Sequence, residues 1–281
     1  MIGPPLCINI TVNKFISAAF VAYPMQKIGI SSMALRKYSP KDAVRRASEL
    51  GFGSWEIMLE GRHLQNDYTE VKELADSYGL ELFIHAPFSD LNIASPNERI
   101  RKETLSQIFK AIEIADFLES KIVTLHTGRP SPIGMFLRED AWETNLKSIG
   151  EILEFGSDFD LKLCLENMPN FPGAFCCKID ELRRVLDINP GLGLTLDIAH
   201  AHTYGDEVEY LKELKDRVLH VHLHDNDGIS DSHSAVGEGN IDFDRVMYHL
   251  KDFKGYGIIE TRTEDAAILS KRKFEEQISS L

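Results

Sequence analysis

Eight short runs of strand-forming residues recur along this chain of 281 residues, with amphipathic helical patterns between them. The runs are Lys27–Ser31, Trp55–Leu59, Leu82–His85, Ile122–His126, Lys162–Glu166, Gly193–Asp197, Val218–Leu223 and Gly257–Glu260. Ser39-Pro40-Lys41-Asp42 supplies an N-cap, a proline at the first helical position and an acid two residues on. That helix is expected to end at Leu50-Gly51, with glycine in its usual C-terminal place. Ser95-Pro96-Asn97-Glu98 repeats the device. The helix after it carries Leu105, Ile108, Ile112 and Ala115 on one face. Leu146, Ile149 and Leu153 mark another helical face, and Ile179, Leu182 and Leu186 a third. Glu207–Lys215, Phe243–Leu250 and Glu264–Ile278 read as the remaining helices. Strand-helix alternation implies a parallel sheet, and eight rounds imply a single closed (β/α)₈ TIM barrel over residues 25–281. An open doubly wound sheet is the rival, but no glycine-rich phosphate loop follows the first run.

Residues 1–24 carry none of this pattern and read as an N-terminal extension. Their apolar run FISAAFVAY falls well short of the roughly 20 residues of a membrane span. Lys14 precedes it as in a signal peptide, but no clean small-residue cleavage pattern follows. Met25 stands just before the first run, so an extension or an early start is the expectation, with no membrane partner. The four cysteines, Cys7, Cys164, Cys176 and Cys177, form no CxxC pair and no disulfide framework, which points to a reducing cytoplasm. Cys164 reads as a buried small hydrophobe and Cys176-Cys177 as an inert loop pair. A formal charge of -13 argues against bulk nucleic-acid binding.

The chemistry gathers where the runs end. His85 ends the third run, His126 the fourth, Glu166 the fifth and Asp197 the sixth, with His200 one turn beyond. His222 lies at the end of the seventh, and Glu260 ends the eighth. In a barrel these positions share one mouth. A lone histidine at a strand end is more often structural, but six consecutive strands ending in Asp, Glu or His would be costly to bury unpaired. The stretch VLHVHLHDNDGISDSHSAVGEGNIDF concentrates the pattern. Along its strand His220, His222 and His224 alternate with Leu219, Val221 and Leu223, so the histidines share a face. Asp225, Asn226, Asp227 and Gly228 read as a turn, Asp231 and His233 follow in a loop, and Gly237-Glu238-Gly239 closes it. Imidazole and carboxylate together suit zinc or manganese. His220 reads as supporting or structural, His224 as the likelier substrate contact, and His202 as either a supporting or a surface residue. Glu238 reads as a loop-shaping group. Arg62, Lys121 and Arg129 read as surface charges that could reach a phosphate, and Trp55 and Trp142 as packing residues.

The strings IHAPFSDLNIAS, TLHTG, LENM, LDIAH, HLHDN and DSHSAVGEGN resemble the xylose isomerase-like TIM-barrel superfamily, and within it endonuclease IV, which nicks DNA at abasic sites. The resemblance covers residues 26 to about 265. It implies up to three Zn²⁺ ions on nine ligands. His85, His126 and Glu166 would hold the first ion. Glu166 would bridge to a second, held also by Asp197, His222 and Glu260. His200, Asp231 and His233 would hold the third. Departures point elsewhere in the superfamily. KIGISS lacks the histidine of the DNA enzyme, and no long basic and aromatic DNA-inserting loops are present. SWEIMLEGRH looks like the sugar isomerases and epimerases, which carry a glutamate in such a strand. In that branch one Mn²⁺ uses the counterparts of Glu166, Asp197, His222 and Glu260, and two glutamates pass a proton across a ketose carbon.

Charge separates the two chemistries. Three zinc ions among Glu166, Asp197, Asp231 and Glu260 leave a positive site suited to a hydroxide and a phosphodiester. One ion among Glu166, Asp197 and Glu260 leaves a negative site suited to proton transfer on a neutral sugar. The complete third set favours hydrolysis, with Glu166 and Glu260 as catalytic groups and abasic DNA as the leading substrate. A sugar or sugar-phosphate isomerase or epimerase is the alternative, and a non-enzymatic metal-binding protein a weaker third.

Overall fold

The computed structural model describes residues 28–132 and 134–278. The extension expected over residues 1–24 lies outside them. Eight parallel strands close into a barrel in sequence order: β1 Ile28–Ser31, β2 Ser54–Met58, β3 Glu81–His85, β4 Ile122–Leu125, β5 Lys162–Glu166, β6 Gly193–Asp197, β7 Val218–Leu223 and β8 Tyr256–Ile259. Closure comes from β1 pairing with β8, Gly29 opposite Ile258. The strands are buried on nearly every residue, because helices cover the outside and side chains fill the inside. The runs read from sequence correspond to these strands within a residue at each end, so Glu260 and His126 stand just past β8 and β4.

The helices form where their caps allow. Ser39 Oγ accepts the Asp42 N–H at the start of Pro40–Glu49, and Gly51 adopts a φ of 70° after it. The second capping site differs from the reading above. Asn97, not Ser95, caps the helix Glu98–Phe117, its side chain accepting the Arg99 N–H. Ser95 Oγ instead accepts the Asn97 N–H, forming a turn ahead of the helix. Glu98 in the first turn then holds the buried Arg101 through two hydrogen bonds of 2.9 and 3.0 Å. Thr69–Tyr78, unmarked in the reading by residue faces, packs Val71 and Ala75 inward. Trp55, Trp142, Cys164, Cys176 and Cys177 are all buried, as expected of packing residues. Among the described residues no helix is long and apolar enough to cross a membrane.

The closure tolerates no bulk. A Cβ on Gly29 would overlap Ser54 Oγ and Ile258 Cδ1 and lie 3.1 Å from the Ser54 carbonyl oxygen. Gly29→Ala is therefore expected to destabilise the barrel by about 1–3 kcal/mol. Gly150, exposed within the helix Arg138–Gly156, has nothing within 4 Å of an added Cβ. Gly150→Ala is expected to stabilise by about 0.5–1 kcal/mol. Thermal melts of the two variants should move in opposite directions.

Candidate metal centre

The parallel barrel delivers the nine sequence-marked residues to one end. His85, Glu166 and Asp197 are the last residues of β3, β5 and β6. His126 and Glu260 follow β4 and β8 directly, and His222 is the penultimate residue of β7. Asp197 also caps the short helix Ile198–His202, accepting the His200 N–H at 2.7 Å, which brings His200 back over the mouth. Asp231 and His233 arrive on the loop after β7. Asp225 organises that loop: its backbone pairs with Ser234 in both directions, and its carboxylate accepts from Gly237 and Ile241. Within the loop His233 has a φ of 49°, a backbone conformation rare for a side chain of its size.

Three groups form around the sequence-marked residues, each with ligand atoms within 4.8 Å of one another: His85–His126–Glu166, Glu166–Asp197–His222–Glu260 and His200–His224–Asp231–His233; a fourth, Glu56–His220–His222, adjoins the second through His222. Glu166 divides its oxygens. Oε2 faces His85 Nε2 at 3.2 Å and His126 Nε2 at 2.8 Å, while Oε1 faces His222 Nδ1 at 3.0 Å. Glu260 Oε2 is also 3.0 Å from His222 Nδ1. Asp231 Oδ2 lies 3.0 Å from His233 Nε2 and 3.3 Å from His200 Nε2.

Backbone carbonyls fix several imidazoles. His85 Nδ1 is 2.8 Å from the Ala86 carbonyl oxygen, His200 Nδ1 is 2.8 Å from that of Asn167, and His233 Nδ1 is 2.7 Å from that of Glu260. A carbonyl only accepts, so each Nδ1 carries a proton, and Nε2, facing the carboxylates, is the nitrogen that would give up its own proton to ligate a cation. This is the arrangement of a metal-ligating histidine.

The donor chemistry fits divalent cations. Glu166, Asp197 and Glu260 are at most 3% exposed, and among the described residues no lysine or arginine pairs with them. Imidazolium alone offsets them in the protein as it stands. Burial opposes charge on His85, but the hydrogen bond and charge of Glu166 raise it to about 9. His200, likewise opposed by burial, is raised to about 10 by Asp197 and Asp231. Burial dominates for His126 and lowers it despite Glu166. Burial would raise Glu166, but the charges of His222 and His126 hold it well below the usual carboxylate range. A cation entering these groups displaces such protons.

Beside the groups lies a cavity of about 270 Å³, bordered by Glu166, Glu260, His85, His126 and His233 and by an apolar wall that includes Met33, Met58, Phe88, Met168 and Phe171. Arg129 is the one lysine or arginine among the described lining residues. One reading changes, that of His224. His224 is buried away from the cavity, 3.0 Å from Asp197 Oδ2 and stacked on His233 at 4.0 Å, so it joins the loop group and does not line the substrate space. The His200 ring packs edge-on against it, with centroids 5.7 Å apart. His202 bonds Glu207 and Asn240 outside all three groups. Glu238 accepts the Ala235 N–H, a loop-shaping contact. Lys121 precedes β4 at the opposite barrel end and pairs with Asp160, and Arg62 donates to the Lys37 carbonyl. Sequence reasoning marked SWEIMLEGRH as a glutamate-bearing strand of the sugar-isomerase kind but named no residue in it; Glu56, buried on β2, meets His220 at 2.6 Å and His222 at 3.0 Å. The available signal was a lone glutamate in the strand SWEIM.

The chain is similar to known proteins over most of its length. It is 37% identical over 261 residues to an uncharacterised protein of Methanocaldococcus jannaschii, covering 90% of this chain and 89% of that protein. A fructoselysine 3-epimerase of Shigella flexneri is 25% identical over 254 residues, 84% of this chain and 90% of the relative. A probable endonuclease 4 of Aquifex aeolicus is 27% identical over 235 residues, 74% and 81% respectively. Among solved structures, a D-tagatose 3-epimerase-like protein superposes with a TM-score of 0.85 at 36% identity, covering 90% of this chain and 97% of that one. A family model matches residues 44–281. The chain belongs to the xylose isomerase-like TIM-barrel family.

Proposed function

We propose that this chain is a divalent-metal-dependent ketose epimerase in which Glu166 and Glu260 carry a proton across a carbon beside a carbonyl. One observation carries the reading. Both glutamates place an oxygen 3.0 Å from the same nitrogen, His222 Nδ1, and both border the substrate-sized cavity. Glu166, Asp197, His222 and Glu260 would hold the ion, Mn²⁺ or Zn²⁺, which when bound would polarise the ketose carbonyl and acidify the adjoining C–H. One glutamate takes the proton from one face of that carbon, and the other returns a proton to the opposite face. The configuration inverts and the carbon chain stays intact. The exchange needs one carboxylate ionised and its partner protonated; burial and the Glu166 charge act to raise Glu260, while His222 beside both holds the pair low in the metal-free protein. The apolar wall limits water at the reacting carbon.

The cavity and the relatives support this reading over the phosphodiesterase expected from the endonuclease IV resemblance. A single arginine in a largely apolar lining is poor provision for a DNA backbone, which is bound through many phosphate contacts. The D-tagatose 3-epimerase-like structure matches 90% of the chain at 36% identity, against 74% and 83% of the chain at 27% and 24% for two probable endonuclease 4 proteins. The loop group His200–His224–Asp231–His233 favours hydrolysis at abasic DNA as the second reading, because one-metal epimerisation does not require it.

With Mn²⁺ in deuterated water, ketoses are expected to gain deuterium beside the carbonyl, followed by NMR. Glu166→Gln and Glu260→Gln should each slow that exchange by about 10²–10⁴-fold. Absence of exchange with every ketose tested, together with chelator-sensitive nicking of an abasic duplex, would replace the epimerase with the hydrolase. Asp231→Ala combined with His233→Ala is expected to leave an ion at the Glu166–Asp197–His222–Glu260 group, counted by elemental analysis, and to keep most of the exchange. Complete loss of exchange with that ion still bound would make the loop group part of the reaction.

A further inference from the structure

We infer that Glu56 is a positioning residue for the metal centre, holding His222 in the tautomer that presents Nδ1 to the ion. His85, His200 and His233 each have a backbone carbonyl on Nδ1 and turn Nε2 toward the carboxylates. His222 is reversed. Its Nδ1 faces Glu166 and Glu260, and its Nε2 faces the opposite side of the barrel interior. Glu56 Oε1 stands there, 3.0 Å away, reaching across from β2. The two atoms are in ion-pair contact without the alignment of a formed hydrogen bond, and neither has another hydrogen-bond partner. Both residues are at most 1% exposed, cut off from bulk water.

The need for such a partner follows from the acceptors on the other side. Left to Glu166 and Glu260, neutral His222 would place its proton on Nδ1, where two carboxylates accept it, and the lone pair required for ligation would be lost. An anionic acceptor on Nε2 reverses that preference and raises the basicity of the ligating nitrogen. His220 completes the device. Its Nε2 lies 2.6 Å from Glu56 Oε2, which clamps the carboxylate and leaves Oε1 to His222. Phe83 packs edge-on against the His220 ring, with centroids 5.2 Å apart, and holds it in place. The chain's alternation makes this possible: His220 and His222, two apart on β7, point to the same interior face as Glu56.

The inference rests on the metal group of the proposed function and not on the reaction assigned to it, so the readout is metal binding. Calorimetric titration of metal-free protein with Mn²⁺ is expected to give Glu56→Ala an affinity at the Glu166–Asp197–His222–Glu260 group about 10–100-fold below wild type, with unchanged stoichiometry. Glu56→Gln, which keeps an acceptor oxygen, should fall between the two. Equal affinity in all three proteins overturns the inference, and a stoichiometry lowered by one overturns it in favour of Glu56 as a ligand. Wild type that binds no cation would sink the proposed function as well, which separates the two failures. A measurement on wild type keeps the idea testable if the variants do not fold. In the Zn²⁺ form, nitrogen-15 NMR of labelled histidine should find the His222 proton on Nε2, and a proton on Nδ1 would overturn the assignment.

Discussion

Three buried carboxylates, Glu166, Asp197 and Glu260, converge without a lysine or arginine among the described residues to offset them, and the rest of the structure answers to that fact. Ionised groups out of water carry a desolvation cost of several kcal/mol each unless they are paired. Here the compensation comes from imidazoles, which accept a proton when no ion is present and offer a lone pair when one is. A lysine in their place would fill the position permanently and leave no room for a cation. Histidine is the residue that can stand in for the metal and then give way to it.

The barrel supplies the convergence, and the ends of its strands supply the orientation. Parallel strands all finish at the same mouth, so the last residue of each faces its counterparts. The carbonyls of Ala86, Asn167 and Glu260 lie next to those residues along the chain and face neighbouring imidazoles. Asn167 adds stiffness, donating to the Asp197 carbonyl at 2.9 Å and accepting its N–H at 2.7 Å, so that β5 and β6 end as one unit. The site is built from backbone that the fold has already fixed, with the loop after β7 as its one long irregular contribution, and that loop is pinned by the buried Asp225.

The barrel was readable from the sequence because each strand announces itself as an apolar run bounded by caps and glycines. The nine groups at the mouth were readable for a related reason: a charged or imidazole side chain ending an apolar strand breaks the pattern at a fixed place. Glu56 was harder to read, since it breaks its strand in the middle, where the residue it touches lies on a strand over 160 positions away. His224 was read toward the substrate because alternation gives a face and not a depth, and the Asp197, His200 and His233 side chains that pack against it meet it only in the fold. Asn97 displaced Ser95 as a cap because the string offers two capping residues, and only the backbone path decides between them. Which nitrogen of each histidine faces the carboxylates depends on carbonyl positions that no residue pattern records.

The divided carboxylate of Glu166 has a thermodynamic consequence. One oxygen belongs to the His85–His126 group and the other to the His222 group, so any occupant of the first changes the charge and orientation offered to the second. Reciprocity then requires the influence to be equal in both directions. The two groups therefore do not have independent dissociation constants. Where both groups bind, the one of higher intrinsic affinity would fill first, and the metal content of a sample would depend on the free cation concentration more steeply or more gradually than a single-site curve. A mutation at His85 would register in the affinity of the His222 group through the Glu166 they share.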